Sequence, residues 1–102
     1  MNNSVKLVRD KTPEIIESSG KKCIIENLDD QQMVEYLYVK FNEELYELFY
    51  CEELEGFADV MEVLFSIGKR YGYSEQDILR KRSEKKATHG SFDNNILLKH
   101  IY

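Results

Sequence analysis

Cysteine is scarce in this chain of 102 residues, which holds only Cys23 and Cys51. Two isolated cysteines make neither a disulfide framework nor a zinc site. Both are expected to be reduced and partly buried, as in a cytoplasmic protein. Long apolar runs are also missing. None approaches the ~20 residues that a bilayer-spanning helix needs, so no membrane association is expected. The opening MNNSVKLVRDK has no apolar core of the kind a secretory signal carries. Excess positive charge is absent too. A net charge of −5 opposes broad contact with long nucleic acid, although it leaves room for one phosphorylated ligand. There is no internal repeat, linker or low-complexity tract, and no glycine-rich GxxxxGK[ST] phosphate loop.

What remains is a globular composition, with 42% apolar and 32% charged residues. The length suits one domain with a modest core. Thr12-Pro13-Glu14 opens a short helix that stops at Gly20. Lys22–Leu28, with its Cys-Ile-Ile, reads as a strand. Asp29 or Asp30 caps a long helix reaching about Tyr50. A third helix runs from about Glu53 to Arg70 and ends near Gly72. Ser74 starts a fourth, which runs to about Thr88. Asn95–Tyr102 reads as a second strand that pairs with the first. The expected fold is mainly α: an antiparallel helical bundle with a small two-stranded β element.

The acidic residues of the two long helices fall at informative positions. On the second helix, Met33, Leu37, Phe41, Glu44 and Leu48 follow one another at steps of four, four, three and four, so they share a face. Glu44 thus interrupts an apolar stripe, and Glu47 flanks it. The third helix is apolar over nearly its whole circumference, the pattern of a buried helix. Its polar exceptions Glu55, Asp59, Glu62 and Ser66 form one narrow ribbon. A short connection makes the two helices antiparallel neighbours, and Glu44/Glu47 can then face Asp59/Glu62. Desolvated carboxylates cost several kcal/mol each unless compensated. Protons or a bound cation would do this, and hard oxygen donors suit Mg²⁺ or Mn²⁺. Glu43, Glu52 and Glu53 read as solvated.

Three blocks of this sequence, KLVRDKTPEIIESSGKK, EELYEL followed by FADVMEVL, and EKKATHGSFDNNILL, together resemble the MazG-like, all-α nucleoside triphosphate pyrophosphohydrolases. The narrower similarity is to the house-cleaning group labelled phosphoribosyl-ATP pyrophosphohydrolase-like. KLVRDKTPEIIESSGKK, Lys6 to Lys22, is close to that group's opening KLVRDKIPEII. EELYEL followed by FADVMEVL is similar to the superfamily's ExxE and ExxD carboxylates and to the group's ELADVLEVI. EKKATHGSFDNNILL is similar to a KAxKRGGFxxxIxL ending, with His89 in place of an Arg and Ser91 in place of a Gly.

The resemblance implies Mg²⁺-dependent hydrolysis of a nucleoside triphosphate to monophosphate and pyrophosphate. By position, the ExxE pair is Glu44 and Glu47, and the ExxD aspartate is Asp59. The ExxD glutamate falls on Gly56, leaving Glu55 or Glu62 as a substitute ligand. The implied metal ligands are Glu44, Glu47, Asp59 and Glu62, with Glu47 orienting or deprotonating the attacking water. Arg9 and Lys11 of the first block and Lys85 of the last would hold phosphate oxygens. His89 reads as a loop or packing residue, and Phe92 as an anchor of the last loop in the core. The alternative is a degenerate helical module that binds a nucleotide or a protein partner without hydrolysis. A homo-oligomer, most simply a dimer, is expected because the other elements cannot cover a third helix that is apolar all round.

Overall fold

A computed structural model describes residues 5–102. Among these residues, four helices make up the regular structure: α1 Thr12–Ser18, α2 Asp30–Cys51, α3 Leu54–Arg70 and α4 Glu75–His89. Their boundaries follow local chemistry. Asp29 and Gln32 form a reciprocal capping box that starts α2: the Gln32 N–H donates to Asp29 Oδ1 at 2.8 Å, and the Asp29 N–H to Gln32 Oε1 at 3.1 Å. Ser74 and Asp77 start α4 in the same way. Gly72, at φ +89°, makes the turn between α3 and α4. In α1 the cap lies one residue earlier than expected: Lys11 takes that position, and Thr12 is the first helical residue.

Only Glu52 and Glu53 separate α2 from α3, so the two helices fold back on each other as an antiparallel hairpin. Asp30, at the start of α2, lies 3.6 Å from Arg70, at the end of α3. The Tyr38 and Tyr71 hydroxyls meet at 3.4 Å along the same seam. The Tyr71 hydrogen bond, first among its causes, raises the Tyr38 pKa above its ordinary value. The expected α2 stripe faces this seam, with Leu37 buried and Met33, Phe41, Glu44 and Leu48 half-buried. Two glycines permit close approach. A Cβ at Gly56 would stand 3.0 Å from Leu48 Cδ1, and one at Gly68 only 2.6 Å from Ile78 Cδ1.

Three expectations need correction. Among the described residues there is no strand: neither Lys22–Leu28 nor Asn95–Tyr102 has a regular partner. A strand exists only where its backbone pairs, and a lone two-stranded element is marginal in water. The third helix is not buried within one chain. Phe65, Ile67 and Gly68 are covered, but Leu54, Phe57, Met61 and Leu64 are 86, 57, 47 and 43% exposed. Only α2 runs along α3, and one helix covers one face. Finally, Phe92 and Cys51 are exposed rather than anchored in the core or partly buried, while Cys23 is half-buried.

Candidate functional site

An open cleft of about 920 Å³ lies between the segment 7–11, the inner faces of α2 and α3, and the α3–α4 turn. It brings together residues from distant parts of the chain. Glu44 comes from α2, Asp59 and Glu62 from α3, and Arg9 and Lys11 from the N-terminal segment. Of the two candidate substitute ligands, Glu62 lines the cleft with Asp59 and Glu55 does not. Glu47 and Lys85 do not line it. Glu47, three residues on from Glu44, flanks the inner stripe of α2 and is exposed. Lys85 lies on the part of α4 that has left the body of the molecule, where every residue from Leu79 to His89 is exposed.

Electrostatically the cleft is mixed rather than acidic. The carboxylates of Asp10, Glu44, Asp59, Glu62 and Glu75 share it with the cations of Arg9, Lys11, Lys40, Lys69 and Arg70. Arg9 Nη2 donates to Asp59 Oδ1 at 2.7 Å. Lys40 Nζ stands 3.5 Å from Glu44 Oε1, whose side chain is only 13% exposed. Carboxylates that would otherwise repel are thus compensated by the chain's own cations. Among the described residues, no three His, Cys, Asp or Glu side chains stand together closely enough to hold a metal ion. Glu44, Asp59 and Glu62 offer the hard oxygen donors that suit Mg²⁺.

Three cations of the cleft escaped the sequence reading: Lys40, Lys69 and Arg70. Arg70 is the most constrained. Its Nη1 donates to Ser66 Oγ at 3.1 Å, one turn earlier on α3. Its Nε is buried without a hydrogen-bond partner, since Asp30 at 3.6 Å is beyond bonding distance. The i, i+4 spacing of Ser66 and Arg70 was visible in the sequence, where it continues the ribbon Glu55–Asp59–Glu62–Ser66 into a cation. Lys69 and Arg70 also suit the negative end of the α3 dipole, so they pass for ordinary helix-terminal charges.

Comparison with known proteins finds no matching family model, no matching curated protein and no matching solved structure. Among the described residues, no helix is long and apolar enough to cross a membrane.

Proposed function

We propose that the chain hydrolyses a nucleoside triphosphate, entering as its Mg²⁺ or Mn²⁺ complex, to a nucleoside monophosphate and pyrophosphate. One observation carries this reading: a single cleft gathers carboxylates and cations from sequence blocks as far apart as Arg9 and Asp59. A metal-bound triphosphate presents both signs of charge, and the cleft has groups for each. Mg²⁺ commonly takes one or two protein carboxylates and completes its shell with substrate phosphate and water. Glu44, Asp59 and Glu62 would supply the protein's share of donors to an ion that arrives with its substrate. Arg9 and Lys11 would take phosphate oxygens, with Lys69 and Arg70 further along the same wall. Glu44, the most enclosed of the carboxylates, is best placed to accept a proton from an attacking water. The water oxygen would form the new bond to the α-phosphorus as the bond to the bridging oxygen breaks and pyrophosphate leaves. The same reading includes assembly as a homo-oligomer.

Gly56 favours a second reading, in which the cleft binds a nucleotide without hydrolysing it. The resemblance places a glutamate at this position, where a β-carbon would stand 3.0 Å from Leu48 Cδ1.

Anion-exchange separation of products from a panel of canonical and damaged triphosphates, with and without Mg²⁺, tests the proposal. Monophosphate and pyrophosphate are expected, not diphosphate and phosphate. Glu44→Gln and Asp59→Asn are expected to lower turnover by about 10²-fold or more while leaving helicity unchanged. Loss of helicity with undiminished activity per folded molecule would instead make these carboxylates structural.

A further inference from the structure

Arg70 is fixed at one nitrogen and unsatisfied at the others. Its Nη1 donates to Ser66 Oγ at 3.1 Å and to Ser66 O at 3.4 Å. These contacts fold the guanidinium back along α3 to the level of Ser66. Nε is buried without an acceptor, and Nη2 makes no hydrogen bond among the described residues. Nε and Nη2 form the edge of a guanidinium that grips two oxygens of one phosphate or carboxylate side by side. Asp30 is the carboxylate at hand, but it does not fill that place. It stands 3.6 Å from Nε, beyond bonding distance, on a side chain that is 87% exposed. Leaving a buried donor unpaired is costly, so this edge calls for a better acceptor.

Arg9 is the counterpart further along the same cleft, which both arginines line. Its Nη2 donates to Asp59 Oδ1 at 2.7 Å, which places it at the level of Asp59. Asp59 and Ser66 are seven residues apart and share one face of α3. Seven residues rise about 10 Å along a helix, so the two guanidiniums stand about that far apart along the cleft wall. Each reaches an oxygen about 2.8 Å away, so two oxygens gripped at once, one by each arginine, lie about 5 Å apart. The oxygens of a single phosphate share one phosphorus and lie closer together than this. The outer oxygens of two phosphates joined through a bridging oxygen span it.

Building on the reading of the cleft as a triphosphate site, we propose that Arg9 and Arg70 hold opposite ends of one pyrophosphate unit, and that the terminal phosphate takes the place of Asp30 on Arg70. Arg70 is then the residue that counts phosphates. A lone phosphate engages one arginine at a time, whereas the pyrophosphate unit engages both. Ser66 holds the Arg70 guanidinium in place beforehand, so little side-chain freedom is lost on binding. Asp30 is a resting partner, too loosely held to compete strongly but close enough to return when the terminal phosphate leaves.

Titration calorimetry of the full chain with inorganic pyrophosphate and with inorganic phosphate, both with Mg²⁺ present, tests this. The wild type is expected to bind pyrophosphate about tenfold or more tighter than phosphate, because a second charged hydrogen-bonding group is engaged. Arg70→Gln is expected to weaken pyrophosphate binding about 10–100-fold while leaving phosphate binding nearly unchanged. Arg70→Lys keeps the charge but not the planar edge, and recovers only part of the loss. Asp30→Asn removes the competing carboxylate and tightens pyrophosphate binding. In nitrogen-resolved NMR of the wild type, the Arg70 Nε–H signal should move with pyrophosphate and saturate at the calorimetric midpoint. If Arg70→Gln loses helicity by circular dichroism, this signal and the Asp30→Asn titration decide the matter. An Nε–H signal unmoved at saturating pyrophosphate overturns the proposal. So does a wild type with no preference for pyrophosphate, an equal loss of both ligands in a folded Arg70→Gln, or unchanged pyrophosphate affinity in Asp30→Asn. None of these measurements reads turnover. A chain that grips pyrophosphate in this way but hydrolyses no triphosphate loses the hydrolytic reading alone. One that releases monophosphate and pyrophosphate with a silent Arg70 loses this assignment alone.

Discussion

Arg9 and Asp59, 50 positions apart in the chain, are joined by a hydrogen bond of 2.7 Å. The arginine side chain is 61% exposed and the aspartate 32%. An exposed pair of this kind is worth only about 0.2–1 kcal/mol. The same guanidinium borders the cleft where phosphates would lie, so it has two anionic partners to choose from. Arg9→Ala is therefore expected to lower stability by less than ~1 kcal/mol, read by chemical denaturation. Nucleotide affinity should fall much further, because a charged hydrogen bond to phosphate contributes about 1.5–3 kcal/mol, or some 10–100-fold. Equal losses in both measurements would make Arg9 a structural residue.

Gly56 invites a direct substitution. A β-carbon there stands 3.0 Å from Leu48 Cδ1 and 3.6 Å from Leu48 Cα. In Gly56→Ala, the gain of about 1 kcal/mol in helix propensity offsets a small shift of the Leu48 side chain, so melting should change little. Gly56→Glu adds further atoms where α2 and α3 meet, and overpacking costs about 1–3 kcal/mol. Its melting temperature should fall below that of Gly56→Ala, and turnover should not rise. A more active and equally stable Gly56→Glu would show that the glutamate reaches the cleft after all.

The helices were readable because their signals are local. Asp29, Ser74 and the Glu52–Glu53 break each act within a turn of where they stand. The inner stripe of α2 was readable for the same reason; Glu44, Asp59 and Glu62 line one cleft, without gathering into a cluster of three. The failures are non-local. Ile24 and Ile96 suit a strand, but only a partner backbone makes one, and both are exposed here. The apolar circumference of α3 says that something covers it, not that the same chain does. Lys40, Lys69 and Arg70 were missed because a cation on a helix has the same sequence signature whether it faces water or a cleft.

Glu52 ends α2 in a left-handed conformation, φ +53° and ψ +28°, while its N–H donates to Leu48 O at 2.9 Å. A residue with a β-carbon loses about 1–2 kcal/mol in that region. Glycine avoids the loss, although greater freedom in the unfolded chain takes back about 0.4–1 kcal/mol. Glu52→Gly is thus expected to stabilise the fold by roughly 0.5 kcal/mol, a rise of about 2–4 °C in Tm. It also removes one carboxylate from the α2–α3 turn. Thermal melts should therefore show the fold strengthened. A lower Tm at a concentration where the protein is monomeric would rule out strain at Glu52.

Asp77 connects pH to α4. Its carboxylate accepts from the Ser74 backbone N–H at 2.9 Å, and from Arg80 Nη2 at 2.8 Å. The backbone hydrogen bond from Ser74 is the main cause that holds its pKa below the ordinary 3.8, followed by the Ser74 side chain, with the charge of Arg80 adding to it. Because the folded state binds the proton less tightly, the unfolded chain carries more protons on this group as pH falls toward and below 3.8. Stability from this contact is therefore complete above the ordinary carboxylate pKa and is lost as pH drops through the lower folded value. The capping box should open in that acid window, fraying the first turn of α4 before α2 and α3 melt. Amide-resolved NMR across the titration reads this directly: the Ser74 N–H should shift together with the Asp77 carboxyl, at a midpoint below 3.8. Asp77→Asn should remove that step from the Ser74 titration while keeping a side-chain oxygen able to accept. Should Asp77 titrate at or above its ordinary pKa, or Ser74 stay unmoved through the transition, the box would not hold the start of α4 in solution.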